Sequence, residues 1–93
     1  MPGSIKDRVA IVGMGCSRFG ERWEASANDL LVEAATEAFE DAGIGPDEIQ
    51  AAWVGTTASG KTGMVLSEPL RLQYIPITRV ENACATASDA FRN

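Results

Sequence analysis

The chain contains no histidine and only two cysteines, Cys16 and Cys84, in no CxxC spacing. That leaves too few ligands for a zinc site and no disulfide framework, and it points to a reducing, cytoplasmic setting. Positive charge is also sparse: eight Lys and Arg stand against thirteen Asp and Glu, for a formal net charge of −5. Without a basic cluster to neutralise phosphates, a nucleic-acid partner is excluded. No apolar run approaches the roughly 20 residues of a membrane span. The opening Met1-Pro2-Gly3-Ser4-Ile5-Lys6-Asp7-Arg8 lacks the apolar core of a secretory signal, and residues 1–7 read as a disordered lead-in. What is present is a chain of 93 residues, 45% of them hydrophobic, with its acidic residues dispersed as on a solvated surface. That length allows one domain at most and only a modest core.

Hydrophobic patterning divides residues 8–93 into alternating strands and helices. Arg8-Val9-Ala10-Ile11-Val12-Gly13-Met14 is a short apolar run rich in β-branched residues, and it predicts a strand buried on both faces. Ser26 offers an N-cap oxygen and Asp29 its capping-box partner. Leu30, Leu31, Ala34, Ala35, Ala38, Phe39 and Ala42 then recur at helical spacing, and Gly43 is a suitable left-handed stop. Ala51 to Thr56 predicts a second strand, and Ile77-Thr78-Arg79-Val80-Glu81 a third. Between them, Pro69 is placed in the first turn of a helix capped by Ser67, because proline inside a helix removes a hydrogen bond. Asn82 to Asn93 fits the first turns of a last helix. The order strand–helix–strand–helix–strand–helix belongs to α/β proteins with a mostly parallel sheet.

Two glycine-rich loops invite functional readings. Gly13-Met14-Gly15-Cys16-Ser17-Arg18 starts like a dinucleotide fingerprint, but Arg18 stands where the third glycine belongs and the helix begins too late. The loop is a glycine turn leaving a strand, with Cys16 a small packed residue. Gly55-Thr56-Thr57-Ala58-Ser59-Gly60-Lys61-Thr62 satisfies G-x-x-x-x-G-K-[ST] in full, and a nucleotide-binding module using Gly60, Lys61 and Thr62 is the alternative function. Against it, Gly63 and Pro69 spoil the helix whose N-terminus must complete the phosphate site, and no later strand ends in a magnesium-holding aspartate. A third possibility is an inactive scaffold piece whose role is assembly.

The remaining candidate is Cys84. A cysteine at a strand-to-helix junction stands among unpaired backbone N–H groups that favour the thiolate. Ala83, Ala85, Ala87 and Ser88 are small enough to admit a thioester-sized substrate, and the backbone N–H of Cys84 could donate to an oxyanion. Position alone leaves this reading and a structural buried cysteine equally open.

Over essentially its whole length the chain resembles the N-terminal part of thiolases, in the sterol-carrier-protein-like and acetyl-CoA acetyltransferase branch. The resemblance rests on Val9-Ala10-Ile11-Val12-Gly13, on Glu40-Asp41-Ala42-Gly43-Ile44 and on Ala52-Trp53-Val54-Gly55. It rests above all on Pro76-Ile77-Thr78-Arg79-Val80-Glu81-Asn82-Ala83-Cys84-Ala85-Thr86. It implies that 1–93 is a partial thiolase domain, with Cys84 the nucleophile that accepts an acyl group from a coenzyme A thioester. That thioester is a substrate; no bound cofactor and no metal are implied. Claisen condensation, or thiolysis in reverse, would follow through an acyl-cysteine. Ala87 departs from the glycine common in the family. Thiolases are several times longer and take a histidine base, a second cysteine and most coenzyme A contacts from later segments. The chain alone is therefore expected to be inactive. Its expected partners are the remaining thiolase polypeptide and a second copy across Ile77 to Glu81, in a homo-oligomer.

Overall fold

The computed structural model describes residues 3–57 and 63–93. In chain order the elements are α1 (Ala27–Ala42), a 3-10 turn (Pro46–Glu48), β1 (Ala52–Gly55), α2 (Met64–Leu70), β2 (Ile77–Val80), a 3-10 turn (Ala83–Ala85) and α3 (Thr86–Arg92). β1 and β2 pair in parallel, with Ala52 opposite Ile77 and Gly55 opposite Val80. A parallel pair cannot be closed by a tight hairpin, so the chain crosses over through α2. α3 packs on both strands and α1 on α2. The expected α/β class, a parallel sheet with helices packed on it, is borne out.

α1 begins and ends as its sequence predicts. The Ser26 hydroxyl accepts from the Asp29 N–H at 3.2 Å, and the Asp29 carboxylate accepts from the Ser26 N–H at 2.9 Å. That second bond holds the Asp29 carboxyl below the usual carboxylate range. At the other end Gly43 turns left-handed (φ 74°) and donates to the Phe39 carbonyl at 2.8 Å.

Two expectations are corrected. The run Arg8 to Met14 forms no strand; Val9, Ile11, Val12 and Met14 are each about two-thirds exposed or more. Instead of joining a ladder, this segment lies along α1. A Cβ on Gly13 would stand 2.5 Å from the Ala38 carbonyl oxygen, and one on Gly15 would strike the Ala34 backbone. The Met14 N–H donates to the Asp41 carboxylate at 3.0 Å. β-branched composition favours a pleated, half-buried site, but the only ladder among the described residues is the one β1 and β2 make with each other. The second correction concerns α2, which starts at Met64 after Gly63 and carries Pro69 in its last turn, with no Ser67 cap. In so short a helix proline forfeits a single backbone bond. Closure comes from Arg71 in the left-handed region (φ 55°), with Leu72 N–H donating to the Ser67 carbonyl at 3.0 Å.

The loop before α1 is pinned by charge. Arg22 meets the Glu33 carboxylate at 2.6 Å and Glu24 at 3.1 Å, and the Arg18 N–H donates to Glu33 at 2.9 Å. The Arg22 side chain, first, and the Arg18 N–H hold the Glu33 carboxyl below its ordinary range. Among the described residues no helix is long and apolar enough to cross a membrane.

The core is thin. Among the described residues Val54 and Leu72 are the buried apolar ones, while Phe19, Trp23, Tyr74 and Phe91 are largely exposed. The accessible surface is 7344 Å², whereas a compact monomer of 9.9 kDa should expose roughly 5,200 Å². Its radius of gyration, 14.1 Å, likewise exceeds the roughly 12 Å of a compact chain this long.

Candidate active site

Cys84 lies in the short turn between β2 and α3, and its side chain is exposed. The turn is tight. Ala83 adopts φ 48°, a left-handed conformation that residues with a Cβ rarely take. Its N–H donates to the Glu81 carboxylate, and its carbonyl accepts from the Thr86 N–H. The Ala85 N–H donates to the Asn82 carbonyl at 2.9 Å. The amides flanking Cys84 are thus engaged, where the sequence reading had them unpaired.

Thr86 is the buried polar residue of this region, at 7% exposure. Its hydroxyl accepts from the Asn82 N–H at 2.8 Å and donates to the Ala83 carbonyl at 2.6 Å. Its γ-methyl and carbonyl face the end of β1. A Cβ built on Gly55 would fall 2.5 Å from that methyl and 2.9 Å from the Thr86 carbonyl oxygen. Arg79 reinforces the same corner from β2. Its guanidinium donates to the Thr56 hydroxyl at 2.8 Å and the Thr56 carbonyl at 2.7 Å. The strand end, the turn holding Cys84 and the start of α3 are thereby tied together.

Sequence reasoning had given Thr86 and Arg79 no role. The available signal was Gly55, since glycine in a strand marks close backbone approach. Cys16 is exposed and not packed; its thiol lies 3.4 Å from the Ser17 carbonyl oxygen. It lines a pocket of about 590 Å³ with Leu30, Ala34, Thr56 and Ala87, which Cys84 does not line. The phosphate-loop match falls largely on residues 58–62, so Gly60, Lys61 and Thr62 lie outside the described residues. Among those described, no group of three or more His, Cys, Asp or Glu side chains is placed to hold a metal ion.

No family model matches the chain. It is 42% identical over 90 residues to an acetyl-CoA acetyltransferase of Methanocaldococcus jannaschii, an alignment covering 90% of this chain and 23% of that protein. It is 35% identical over 91 residues to an acetyl-CoA acetyltransferase of Methanothermobacter thermautotrophicus, covering 91% and 24%. Sterol carrier protein 2 of Gallus gallus matches at 38% over 91 residues, covering 94% and 17%. The resemblance to the N-terminal part of the thiolases is borne out. This thiolase-like chain spans about a quarter or less of the length of the relatives it matches. Its fold matches that of 3-oxoacyl-[acyl-carrier-protein] synthase III from Aquifex aeolicus, with a TM-score of 0.66 at 19% identity, covering 82% of this chain and 25% of that one.

Proposed function

We propose that this chain supplies the nucleophilic cysteine of a thiolase-like acyltransferase acting on coenzyme A thioesters. The observation that carries the reading is the placement of Cys84: an exposed thiol on a tight turn between β2 and α3, within a chain similar to enzymes named acetyl-CoA acetyltransferase. The Cys84 thiolate attacks the thioester carbonyl, with the backbone N–H of Cys84 as one donor to the developing oxyanion. Collapse of the tetrahedral adduct expels the coenzyme A thiolate and leaves an acyl-cysteine. A carbanion from a second acyl-CoA then attacks that acyl group and releases the Cys84 thiolate; thiolysis runs the same steps backwards. Exchange of one thioester for another is nearly isoenergetic, which suits cysteine to the task.

The proton acceptor comes from outside these 93 residues, which contain no histidine, and the chain is inactive by itself. Its partners are the polypeptide that completes the site and a second copy meeting it across Ile77 to Glu81. The thin core and the exposed Val9, Ile11 and Phe91 support the first of these contacts. The two free thiols are in keeping with a reducing, cytoplasmic setting.

The test is mass spectrometry of the assembled enzyme after incubation with acetyl-CoA. An acetyl adduct is expected on the peptide holding Cys84, lost in Cys84→Ser and kept in Cys16→Ser. An adduct on Cys16 instead would overturn the assignment.

A further inference from the structure

We propose that Thr86 is the positioning residue of Cys84, its buried hydroxyl holding Asn82 and Ala83 in the left-handed turn that presents the sulfur. This rests on the reading of Cys84 as the acyl acceptor and adds a residue to it. The argument starts from Ala83, whose φ of 48° is unfavourable for a side chain with a Cβ. Such a conformation persists only where its surroundings over-determine it. Here the surroundings are the Glu81 carboxylate on the Ala83 N–H and the Thr86 hydroxyl on both the Asn82 N–H and the Ala83 carbonyl. At 7% exposure, Thr86 leaves water little room to replace it.

The two halves of the Thr86 side chain have separable jobs. The γ-methyl abuts Gly55, where no Cβ would fit, and so packs α3 on β1. Of the two halves only the hydroxyl reaches the residues before Cys84, adding to the backbone bonds that the Thr86 and Ala85 N–H groups make to the Ala83 and Asn82 carbonyls. Thr86→Val keeps the volume and loses both hydroxyl bonds; Thr86→Ser keeps the bonds and loses the methyl. Fixing the turn matters for acylation because an acyl acceptor must meet a carbonyl along a defined line, with the oxyanion donor already in place. Alkylation by a small, flexible electrophile demands far less.

Accordingly, acetylation of Cys84 by acetyl-CoA is measured in single turnover on the assembled enzyme, alongside the rate of Cys84 labelling by iodoacetamide. Thr86→Val is expected to slow acetylation at saturating acetyl-CoA by tenfold or more, with the half-saturating concentration and the iodoacetamide rate within about threefold of the parent. Thr86→Ser is expected to restore acetylation to within about threefold. Acetylation of Thr86→Val at the parent rate overturns the proposal, and so does a serine variant as slow as the valine one, which would make the methyl the important group. If valine costs the fold, the serine variant is judged against the parent: acetylation tenfold or more below the parent rate overturns the proposal. Absence of acetyl-Cys84 in the parent enzyme overturns the nucleophile assignment itself, and this proposal with it.

Discussion

Isolating residues 1–93 from any partner should leave them unable to hold this structure as a monomer. The magnitude follows from the surface. The chain exposes 7344 Å² against roughly 5,200 Å² for a compact monomer of its mass, an excess of about 2,100 Å². That is a little more than the total surface buried in a standard protein–protein interface, about 1,600 Å². If only a third of the excess is apolar, about 700 Å² at about 25 cal/mol/Å² comes to about 18 kcal/mol of burial not made. Even discounted for a compact unfolded state, this rivals the entire net stability of an ordinary domain, about 5–15 kcal/mol. Val9, Ile11, Val12, Trp53 and Phe91 are among the exposed apolar side chains that such burial would cover. Size-exclusion chromatography with light scattering, followed by hydrogen exchange, checks the expectation. The isolated chain should associate, and the amides of β1 and β2 should exchange quickly whenever it is monomeric. A monodisperse monomer with both strands protected would refute the reasoning.

Two further predictions concern single side chains. Gly55→Ala should destabilise the assembled protein by about 1–3 kcal/mol, the usual cost of overpacking, because the added methyl meets the Thr86 backbone as well as its side chain. The control is Gly45→Ala, whose methyl meets only the Asp47 side chain, nearest at 2.8 Å; equal thermal unfolding of the two variants would contradict the prediction. Acid should release the loop before α1. Because folding depresses the Glu33 pKa, the Arg22–Glu33 contribution is complete above the ordinary glutamate range and is lost as pH falls through the lower folded value. An NMR titration of the Arg18 amide, which donates to Glu33, should show its midpoint below that range, and a midpoint at or above it would count against the pairing.

Much of the architecture was readable because local signals were strong. The Ser26–Asp29 box, the Gly43 stop and the two short apolar strands at 52–55 and 77–80 are each specified within a few residues of themselves. Residues 8–14 misled because apolar β-branched composition reports what a segment could pair with, and among the described residues no partner strand stands beside it. Pro69 misled because a rule written for helix interiors weighs little in a seven-residue helix. The sequence also placed Cys84 and its small neighbours at a strand-to-helix junction, where the structure has them. The reach of Arg79 to Thr56 was invisible because it depends on how two distant strands come together, and the hydroxyl clamp of Thr86, though local, follows from a left-handed Ala83 that residue type does not announce. Cys16 was misjudged because its exposure depends on a neighbour that local pattern does not name.

The parallel pairing of β1 with β2 also bears on the order in which the molecule forms. Ala52 meets Ile77 only after the whole crossover through α2 has been closed, and closing a loop of that length costs chain entropy before any ladder bond repays it. α1, by contrast, carries both of its own end signals and needs only local contacts to start. Folding should thus run from the first helix toward the sheet, the slow direction for non-local topologies. The Gly55–Thr86 and Thr56–Arg79 contacts lie beyond that closure, so the corner that packs α3 against the end of β1 matures last. During synthesis the corner beside Cys84 would stay unorganised until most of its surroundings had been made.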